Sequence, residues 1–265
     1  MMSYSNKVVL ITGASSGIGE AAAQEFAKLN ANLVLVSRNK ENLEQVSKSL
    51  SKYNIKILVL PCDVSKKDQV IEMSKIVLEK FGKIDVLVNN AGFGIYNTVN
   101  ETKIEEIESQ LATNFYGMVY CIKAFLPNMI QNGSGHIVNV ASVAASVGIP
   151  KMASYCASKF AMLGFSEGLF HELQGTGVGV TVVSPIMVRT NFFNNNSFKK
   201  MPNYSSTSLS STTVAKAIVR ASSSPRLEII VPQFVRIVVW LKQTLPYLIN
   251  PIIGSIFKRS LKSKT

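Results

Sequence analysis

Short aliphatic runs alternate with longer segments of helical periodicity along most of the chain. The runs are rich in Val, Ile and Leu and carry almost no charge, which is typical of parallel strands that are buried on both faces. The longer segments place apolar residues three and four positions apart. The pattern therefore predicts an α/β fold, in which a doubly wound parallel sheet of seven strands has helices on both faces.

The predicted elements divide the chain as follows. The strands are Lys7–Thr12, Asn32–Ser37, Ile55–Leu60, Ile84–Asn89, Gly135–Ala141, Val178–Ser184 and Leu227–Val231. The helices are Gly17–Leu29, Lys40–Lys52, Lys66–Phe81, Ile104–Gln131 and Ser154–Gln174, the fourth being either two helices or one helix bent at Gly117.

The alternation never restarts, so one domain is predicted over residues 1–231, followed by an extension over residues 232–265. Residues 191–213 are rich in Asn, Ser and Thr and match neither period. Long segments of this kind are either plain surface loops or mobile lids over a ligand, and both interpretations stay open. If it is a lid, this segment is the substrate loop of the domain.

Composition narrows the class of protein. The chain has 265 residues, of which 47% are apolar and 17% are charged, which excludes a disordered or fibrous protein. Its three cysteines, Cys62, Cys121 and Cys156, have neither disulfide-framework nor metal-ligand spacing, so no metal site is expected. The cysteine usage and the lack of a signal-peptide pattern at the amino terminus favour the cytoplasm.

The net charge of +12 is concentrated near the carboxyl terminus, since residues 199–265 hold 11 Lys and Arg against the single acid Glu228. No nucleic-acid-binding motif accompanies these charges, so nucleic acid is not an expected partner. Apolar residues at helical spacing from Phe234 to Leu245 indicate an amphipathic helix. Residues 233–265 are expected to lie on an anionic membrane surface, or alternatively to pack on protein as a lid or an oligomer contact.

The segment that follows the first predicted strand is rich in glycine. It reads Thr-Gly-Ala-Ser-Ser-Gly-Ile-Gly over residues 12–19 and leads into a helix. Such a turn lets the backbone approach a pyrophosphate, whose charge is held by free N–H groups and by the positive end of the helix. The segment predicts a dinucleotide site formed by Gly13, Ser15, Ser16, Gly17, Ile18 and Gly19.

The ends of the next three strands extend this site. Ser37 and Arg38 stand where an acidic residue would repel a 2′-phosphate, so NADP(H) is favoured over NAD(H); the alternative is that Arg38 is a solvated loop charge. Carboxyl ends of parallel strands bind ligands, which adds further candidates, although each could serve as a structural cap instead. They are Asp63, Val64, Asn90, Ala91 and Gly92.

Four polar residues suggest acid–base chemistry. Tyr155 and Lys159 are four positions apart in a helical segment, so their side chains rise on one face. A phenol has a pKa of about 10, and a neighbouring ammonium, helped by the charge of an oxidised nicotinamide, is expected to lower it. Ser142 ends the fifth strand and is expected to face the same zone, while Asn114 could hold a carbonyl or water that passes protons to Lys159.

In this order, TGxxxGxG, NNAG and the Ser142–Tyr155–Lys159 set resemble the short-chain dehydrogenase/reductase family over residues 7–190. The resemblance implies a Rossmann-like single domain, a nicotinamide cofactor, an Asn–Ser–Tyr–Lys tetrad and a homodimer or homotetramer. It also implies that Ser142 positions the substrate oxygen, Tyr155 transfers the proton and Lys159 binds the nicotinamide ribose. The family's PGxVxT segment corresponds to Pro185, Val188 and Thr190, with Ile186 in place of the glycine.

The sequence thus predicts an NADP(H)-dependent oxidoreductase that interconverts a carbonyl and a secondary alcohol on an apolar small molecule. Apolarity is inferred from residues near the expected site, among them Phe93, Ile149 and Phe192. A dinucleotide-binding scaffold or redox sensor with incidental turnover is the alternative. The complete tetrad favours the enzyme, since a binder has no need of Tyr155 beside Lys159.

Overall fold

The computed structural model describes residues 4–201 and 208–262. Residues 202–207 of the expected substrate loop and residues 263–265 of the extension lie outside the described residues. The strands are β1 Val8–Thr12, β2 Asn32–Ser37, β3 Ile57–Pro61, β4 Val86–Asn89, β5 Gly135–Val140, β6 Val178–Pro185, β7 Val188–Arg189, β8 Leu209–Ser210 and β9 Glu228–Val231. The helices are α1 Gly17–Ala27, α2 Lys40–Ser49, α3 Lys67–Phe81, α4 Ile104–Leu111, α5 Gly117–Gln131, α6 Ala153–Glu172, α7 Ser211–Ala221, α8 Val235–Thr244 and α9 Pro246–Lys262.

Seven strands form one parallel sheet in the order β3-β2-β1-β4-β5-β6-β9, which confirms the predicted single-domain α/β architecture. The chain builds β1 to β3 outward in one direction and then crosses back to place β4 beside β1. A crevice forms where the strand order reverses, and open parallel sheets bind their ligands there. The glycine-rich turn after β1 and Asn90, which directly follows β4, meet at this point.

Two apolar layers cover the sheet. One face carries α1, α2 and α7, whose buried residues include Phe26, Leu43 and Ile218. The other face carries α3, α5 and α6, with Val70, Phe125 and Met162 among the buried residues. The central strand β1 is buried at every position, which explains why its sequence is a continuous aliphatic run rather than an alternating one.

The segment predicted as the fourth helix forms two helices, which confirms one of the two interpretations. A π-helical turn, Ala112–Tyr116, joins α4 to α5, and α5 begins at Gly117. Turns of this kind insert one extra residue into a helix and often mark functional sites. Here the π turn carries Asn114, which is 1% exposed.

The expectation of an irregular segment over residues 191–213 was partly wrong. Two short 3-10 turns, Asn191–Asn194 and Asn196–Lys200, lie in it, β7 pairs with β8, and α7 already begins at Ser211. The hydroxyl of Ser210 accepts a hydrogen bond from the Thr213 N–H at 3.1 Å and caps α7. The Ser/Thr run that suggested a loop is therefore, at its end, a helix start.

A polar pair crosses the sheet beneath α6. Asn89 and Asn139 are register partners on β4 and β5, and the Asn89 amide donates to Asn139 Oδ1 at 2.9 Å. The Asn139 amide in turn donates to the Ser166 hydroxyl on α6 at 2.9 Å. All three residues are buried, so these hydrogen bonds fix α6 against two specific strands.

The extension is helical where the structure describes it, and few of the side chains with a described environment are buried. In α8 Val239 is buried, while Ile237 and Trp240 are 62% and 59% exposed. Lys242 joins α8 to the catalytic domain, because its ammonium donates to the Ser146 carbonyl at 3.0 Å and lies 5.9 Å from the centre of the Phe160 ring. Within the described residues, no helix is both long and apolar enough to cross a membrane.

Candidate active site

A cleft of about 450 Å³ opens at the carboxyl ends of the central strands. It is lined by most of the residues predicted to hold the cofactor, drawn from six separate stretches of sequence. These are Gly13, Ser15, Ser16, Gly17, Ile18, Ser37, Arg38, Asp63, Val64, Asn90, Ala91, Gly92, Tyr155, Lys159 and Thr190. The structure thus brings the predicted dinucleotide residues and two of the four tetrad residues to one cavity.

The remaining predicted cofactor residues do not line the cleft themselves but pack against the residues that do. A Cβ on Gly19 would lie 2.2 Å from the Gly13 carbonyl oxygen, so Gly19 allows α1 to pack directly on the turn. Pro185 ends β6, and its carbonyl accepts a weak hydrogen bond of 3.4 Å from Ser142. Val188 is buried in β7.

The glycine-rich turn is held by hydrogen bonds to the segment after β4. Gly13 adopts a φ of +66°, which glycine tolerates best. The Asn90 amide donates to the carbonyls of Thr12 and Gly13 at 2.9 and 3.3 Å. Asn90 therefore fixes the turn as well as bordering the cleft. Sequence reasoning missed Thr12, whose hydroxyl accepts from the backbone N–H groups of Asn90 and Ala91 at 3.0 and 3.1 Å.

The amino end of α1 supplies an anion site. Ser16 is the N-cap in an extended conformation, and its side chain makes no capping hydrogen bond. The N–H groups of the first helical turn have no intrahelical acceptor, and the helix dipole is positive at this end. Since Ser16, Gly17 and Ile18 line the cleft, these donors suit the pyrophosphate of a dinucleotide.

The ends of β2 and β3 border the same cleft. Arg38 is exposed there, beside Ser37. The Asn39 side chain caps α2 by accepting from the Asn42 N–H at 2.7 Å, so it belongs to the fold. Asp63 also has the structural role that was its alternative, because its Oδ1 accepts from the N–H and hydroxyl of Ser65 at 3.0 and 2.8 Å.

Tyr155 and Lys159 lie together on α6, with the Lys159 ammonium 5.7 Å from the centre of the Tyr155 ring. Lys159 is 4% exposed and donates to the Val140 carbonyl at 2.9 Å. Burial disfavours the charged ammonium and lowers the pKa of Lys159 to about 7. Burial thus brings the pKa of this side chain close to neutral pH.

The acidity of Tyr155 differs from the sequence-based expectation. Tyr155 is 8% exposed, and this burial raises the pKa of its phenol, while a hydrogen bond with Ser142 lowers it by less. In the chain by itself the pKa is therefore above its ordinary value. Sequence reasoning counted the neighbouring ammonium and omitted the desolvation of the phenolate, which is the larger effect here.

Asn114 holds the loop after β4. Its Oδ1 accepts from the Phe93 N–H at 3.0 Å, and its amide donates to the Phe93 carbonyl at 2.9 Å and to the Ser158 hydroxyl at 2.9 Å. A Cβ on Gly92 would lie 3.0 Å from Asn114 Oδ1 and 3.6 Å from Lys159 Nζ, so both groups face one point. Ser158 was missed from sequence, although it directly precedes the lysine of the Tyr–Lys pair.

An aromatic cluster adjoins the phenol. Tyr155, Tyr96 and Phe198 are buried together with Met152 and Cys156, and Ile149, Phe192, Phe193 and Met201 pack against them. Phe192 also lines the cofactor cleft. The wall beside Tyr155 is thus apolar, as the sequence predicted from Ile149 and Phe192. The contributions of Tyr96 and Phe198 come from residues that carry no motif.

Comparisons with known proteins agree with this geometry. The family model described as short chain dehydrogenase matches residues 7–201. Human 17-beta-hydroxysteroid dehydrogenase 13 is 34% identical over 247 residues, which cover 92% of this chain and 81% of that protein.

Two solved structures share the fold. A short-chain dehydrogenase/reductase from Burkholderia phymatum in complex with NAD superimposes with a TM-score of 0.85 at 29% identity, covering 94% of this chain and 96% of that one. A metagenomic short-chain oxidoreductase in complex with NADP gives 0.75 at 29% identity, covering 86% and 98%. With the family model matching most of its length, the chain belongs to the short-chain dehydrogenase family and is an oxidoreductase.

Proposed function

We propose that this protein is an NADP(H)-dependent oxidoreductase that interconverts a carbonyl and a secondary alcohol on an apolar molecule, with Tyr155 as the general acid and base. The observation that carries the proposal is the position of Tyr155. It borders the cofactor cleft and the aromatic cluster at once, and it lies beside Lys159, while the Ser142 hydroxyl acts to lower its pKa.

The cleft fits a nicotinamide dinucleotide. Free N–H groups at the start of α1 suit its pyrophosphate, and Arg38 with Ser37 suits a 2′-phosphate on its adenosine ribose. When bound, the cofactor supplies or accepts a hydride at the carbon of the reacting group. One solved relative is in complex with NAD and another with NADP, so the relatives do not decide between the two cofactors. Arg38 is the residue of this chain that favours NADP(H).

The chain's own residues perform the proton transfer. Ser142 offers a hydroxyl to the substrate oxygen, and Tyr155 donates its phenolic proton to that oxygen as negative charge develops on it. Because burial lowers the pKa of Lys159 to about 7, part of this side chain is protonated at neutral pH, and that ammonium is available to return a proton towards Tyr155, which leaves the neutral amine. Asn114 fixes the Phe93 backbone, which keeps the loop beside Lys159 in place.

Replacing Tyr155 by Phe tests this assignment. We expect NADPH binding to be retained and NADPH oxidation with a panel of ketones to fall by about 10²–10⁴-fold, the usual contribution of general acid–base catalysis. Tyr247→Phe is the matched control, because Tyr247 lies on α9 and is 93% exposed. Equal turnover of Tyr155→Phe and the unaltered protein would favour the alternative, a dinucleotide-binding scaffold or redox sensor.

We also propose that the extension rests on an anionic membrane surface. Phe234, Ile237 and Trp240 are 69%, 62% and 59% exposed, and a groove between β9 and α8 adds Arg226 and Arg236 beside them. Apolar side chains that flank arginines suit an interface of acyl chains and acidic headgroups. Ile237→Glu should abolish co-sedimentation with phosphatidylglycerol vesicles, whereas Val99→Glu, at a 67% exposed position elsewhere, should not. Unchanged sedimentation of Ile237→Glu would favour the lid or oligomer contact.

A homodimer or homotetramer is proposed through the outer faces of α5 and α6. Tyr116 is half-exposed and stacks on Tyr120, with ring centres 6.1 Å apart, and Phe160 is 42% exposed. Aromatic side chains of this kind are enriched in protein interfaces. Light scattering should give a mass that is a multiple of 28.9 kDa, and Tyr116→Glu should reduce it. A single-chain mass for the unaltered protein would contradict the proposal.

A further inference from the structure

The aromatic cluster has one member that touches the phenol ring directly. The ring of Phe192 lies 5.5 Å from that of Tyr155, centre to centre, in an edge-on arrangement at 66°. Phe192 follows Thr190, whose hydroxyl accepts from the Phe192 N–H at 3.3 Å and fixes the backbone there. A side chain on the segment after β7 thus covers the group that the proposed function places at the reaction centre.

A glycine makes room for this contact. A Cβ on Gly94 would lie 2.8 Å from Phe192 Cζ and 3.3 Å from Tyr155 Cδ2. Real Cβ atoms essentially never approach another atom as closely as 2.8 Å, so any larger residue at this position would displace the Phe192 ring. The absence of a side chain at Gly94 therefore leaves room beside Tyr155, and the Phe192 ring occupies that room.

The ring is held from behind by other aromatic side chains. Phe192 contacts Phe193 at 5.1 Å and Phe198 at 5.6 Å between ring centres, and Phe198 stacks on Tyr96 at 6.0 Å. The Tyr96 N–H also donates to the Ser197 hydroxyl at 3.1 Å. The segment around Tyr96 and the segment over residues 192–198 therefore form one aromatic wall, and Phe192 is the ring of that wall that faces the phenol.

We propose that Phe192 is the specificity-determining residue of the site: its ring is the wall beside Tyr155 against which a flat, ring-sized apolar group of the substrate packs, and Gly94 leaves the room that this ring needs. The inference rests on the proposed function and adds a substrate class, namely carbonyls that carry a planar ring next to the reacting carbon. Such a ring makes an aromatic contact with Phe192 while its carbonyl faces Tyr155, whereas a flexible acyl chain makes no aromatic contact.

A pair of ketones with equal numbers of carbon atoms separates the two classes. We expect the unaltered protein to favour acetophenone over octan-2-one in kcat/KM, and Phe192→Ala to reduce that preference by about three- to tenfold, the worth of one aromatic contact. Phe193→Ala removes a ring of the same cluster and should keep the preference. Retained NADPH binding and an unchanged melting temperature establish that each variant is folded.

A double-mutant cycle tests the role of Gly94. Gly94→Ala should lower kcat/KM for acetophenone in the unaltered protein and have a smaller effect in the Phe192→Ala background, because the clash with the Phe192 ring is then gone and only the milder 3.3 Å contact with Tyr155 Cδ2 remains. Gly148→Ala is the control, since a Cβ there meets nothing within 4 Å. Equal effects of Gly94→Ala in both backgrounds would show that the two residues act separately and would overturn the assignment.

Labelling of Tyr155 provides a readout that needs no turnover. N-acetylimidazole should modify Tyr155 faster in Phe192→Ala than in the unaltered protein or in Phe193→Ala, as measured by mass spectrometry. Equal labelling in all three would mean that Phe192 does not cover the phenol, and the inference would fail while the proposed function stood. If neither ketone supports NADPH oxidation although NADPH binds and labelling responds as expected, the proposed function fails, and the specificity role fails with it.

Discussion

The two edges of the sheet are both polar, but their polar groups are used differently. At the carboxyl edge, the first-turn N–H groups of α1 and the Arg38 side chain border an open cleft. At the amino edge, Asp85 accepts from Lys7 and Lys83 at 2.9 and 3.0 Å and from the Val8 N–H at 2.9 Å. These partners outweigh the opposing effect of burial, so the pKa of Asp85 is lowered.

The difference separates residues that bind from residues that hold the fold. Charged and polar groups that already hydrogen-bond to one another gain little by binding a ligand. The N–H groups at the start of a helix have no acceptor within the helix, so they can form new hydrogen bonds to a ligand. Substitutions at the carboxyl edge should therefore change cofactor binding, and substitutions at the amino edge should change stability.

The largest effect is expected at Gly19. A Cβ there would meet the Gly13 carbonyl at 2.2 Å, so Gly19→Ala must shift α1 away from the turn. Overpacking of this kind costs roughly 1–3 kcal/mol, which corresponds to weaker NADPH binding by up to about a hundredfold in a fluorescence titration. Gly254→Ala in α9 is the control, because a Cβ there meets nothing within 4 Å. Equal NADPH affinity of the two variants would contradict this account of the turn.

A smaller effect is expected at Arg38. Arg38→Asp removes a guanidinium from the end of β2 and adds a negative charge, so the ratio of NADPH to NADH affinity should fall by about tenfold or more. Both affinities can be measured by titration. Arg220→Asp, which makes the same change of charge on α7, should leave the ratio unaltered. An unchanged ratio for Arg38→Asp would mean that Arg38 does not contact the 2′-phosphate.

At the amino edge, His136 should change stability with pH. Burial lowers its pKa from 6.5 to about 4, and its Nε2 lies 3.0 Å from the Thr181 hydroxyl. A lowered pKa means that the unfolded chain binds the proton more readily, so this contribution to stability is present above pH 6.5 and is lost as the pH falls towards 4. His136→Gln should flatten the melting temperature between these limits. The same slope in both proteins would refute the assignment.

The smallest effect is expected where the extension meets the domain. Lys242→Met keeps the aliphatic stem and removes the hydrogen bond to the Ser146 carbonyl, at a cost of about 0.5–1 kcal/mol of unfolding free energy, because the bond is only partly buried. Urea denaturation measures this change. NADPH affinity should stay the same, and a loss of it would mean that the extension supports the carboxyl edge as well.

Much of the fold was predictable because it depends on local patterns. Buried parallel strands read as aliphatic runs, and the glycine-rich turn identifies itself by its position between β1 and α1. The start of α7 was hidden because its capping Ser210 lies in a run of other Ser and Thr residues. A residue type that favours both loops and helix caps cannot decide between them without the packing that follows.

The sequence predicted which residues form the site better than it predicted their pKa values and contacts. The Tyr155–Lys159 spacing placed both residues on one helix face, but the direction of the Tyr155 pKa depends on burial by residues distant in sequence. The contact between Gly94 and Phe192 joins positions almost a hundred residues apart, and no motif contains both. Three-dimensional packing supplied these facts.

The amide pair formed by Asn89 and Asn139 has a consequence for assembly of the sheet. If β4 and β5 paired one residue out of register, one of the two amides would point to the opposite face of the sheet. Both amides would then be buried among apolar side chains without their hydrogen bond, which costs free energy, whereas the neighbouring aliphatic pairs would lose no hydrogen bond. The pair therefore discriminates against misregistered sheets. Through Ser166 it also ties α6, the helix that carries the phenol, to one register of the sheet, so two amides that do not line the cleft contribute to the geometry of the site.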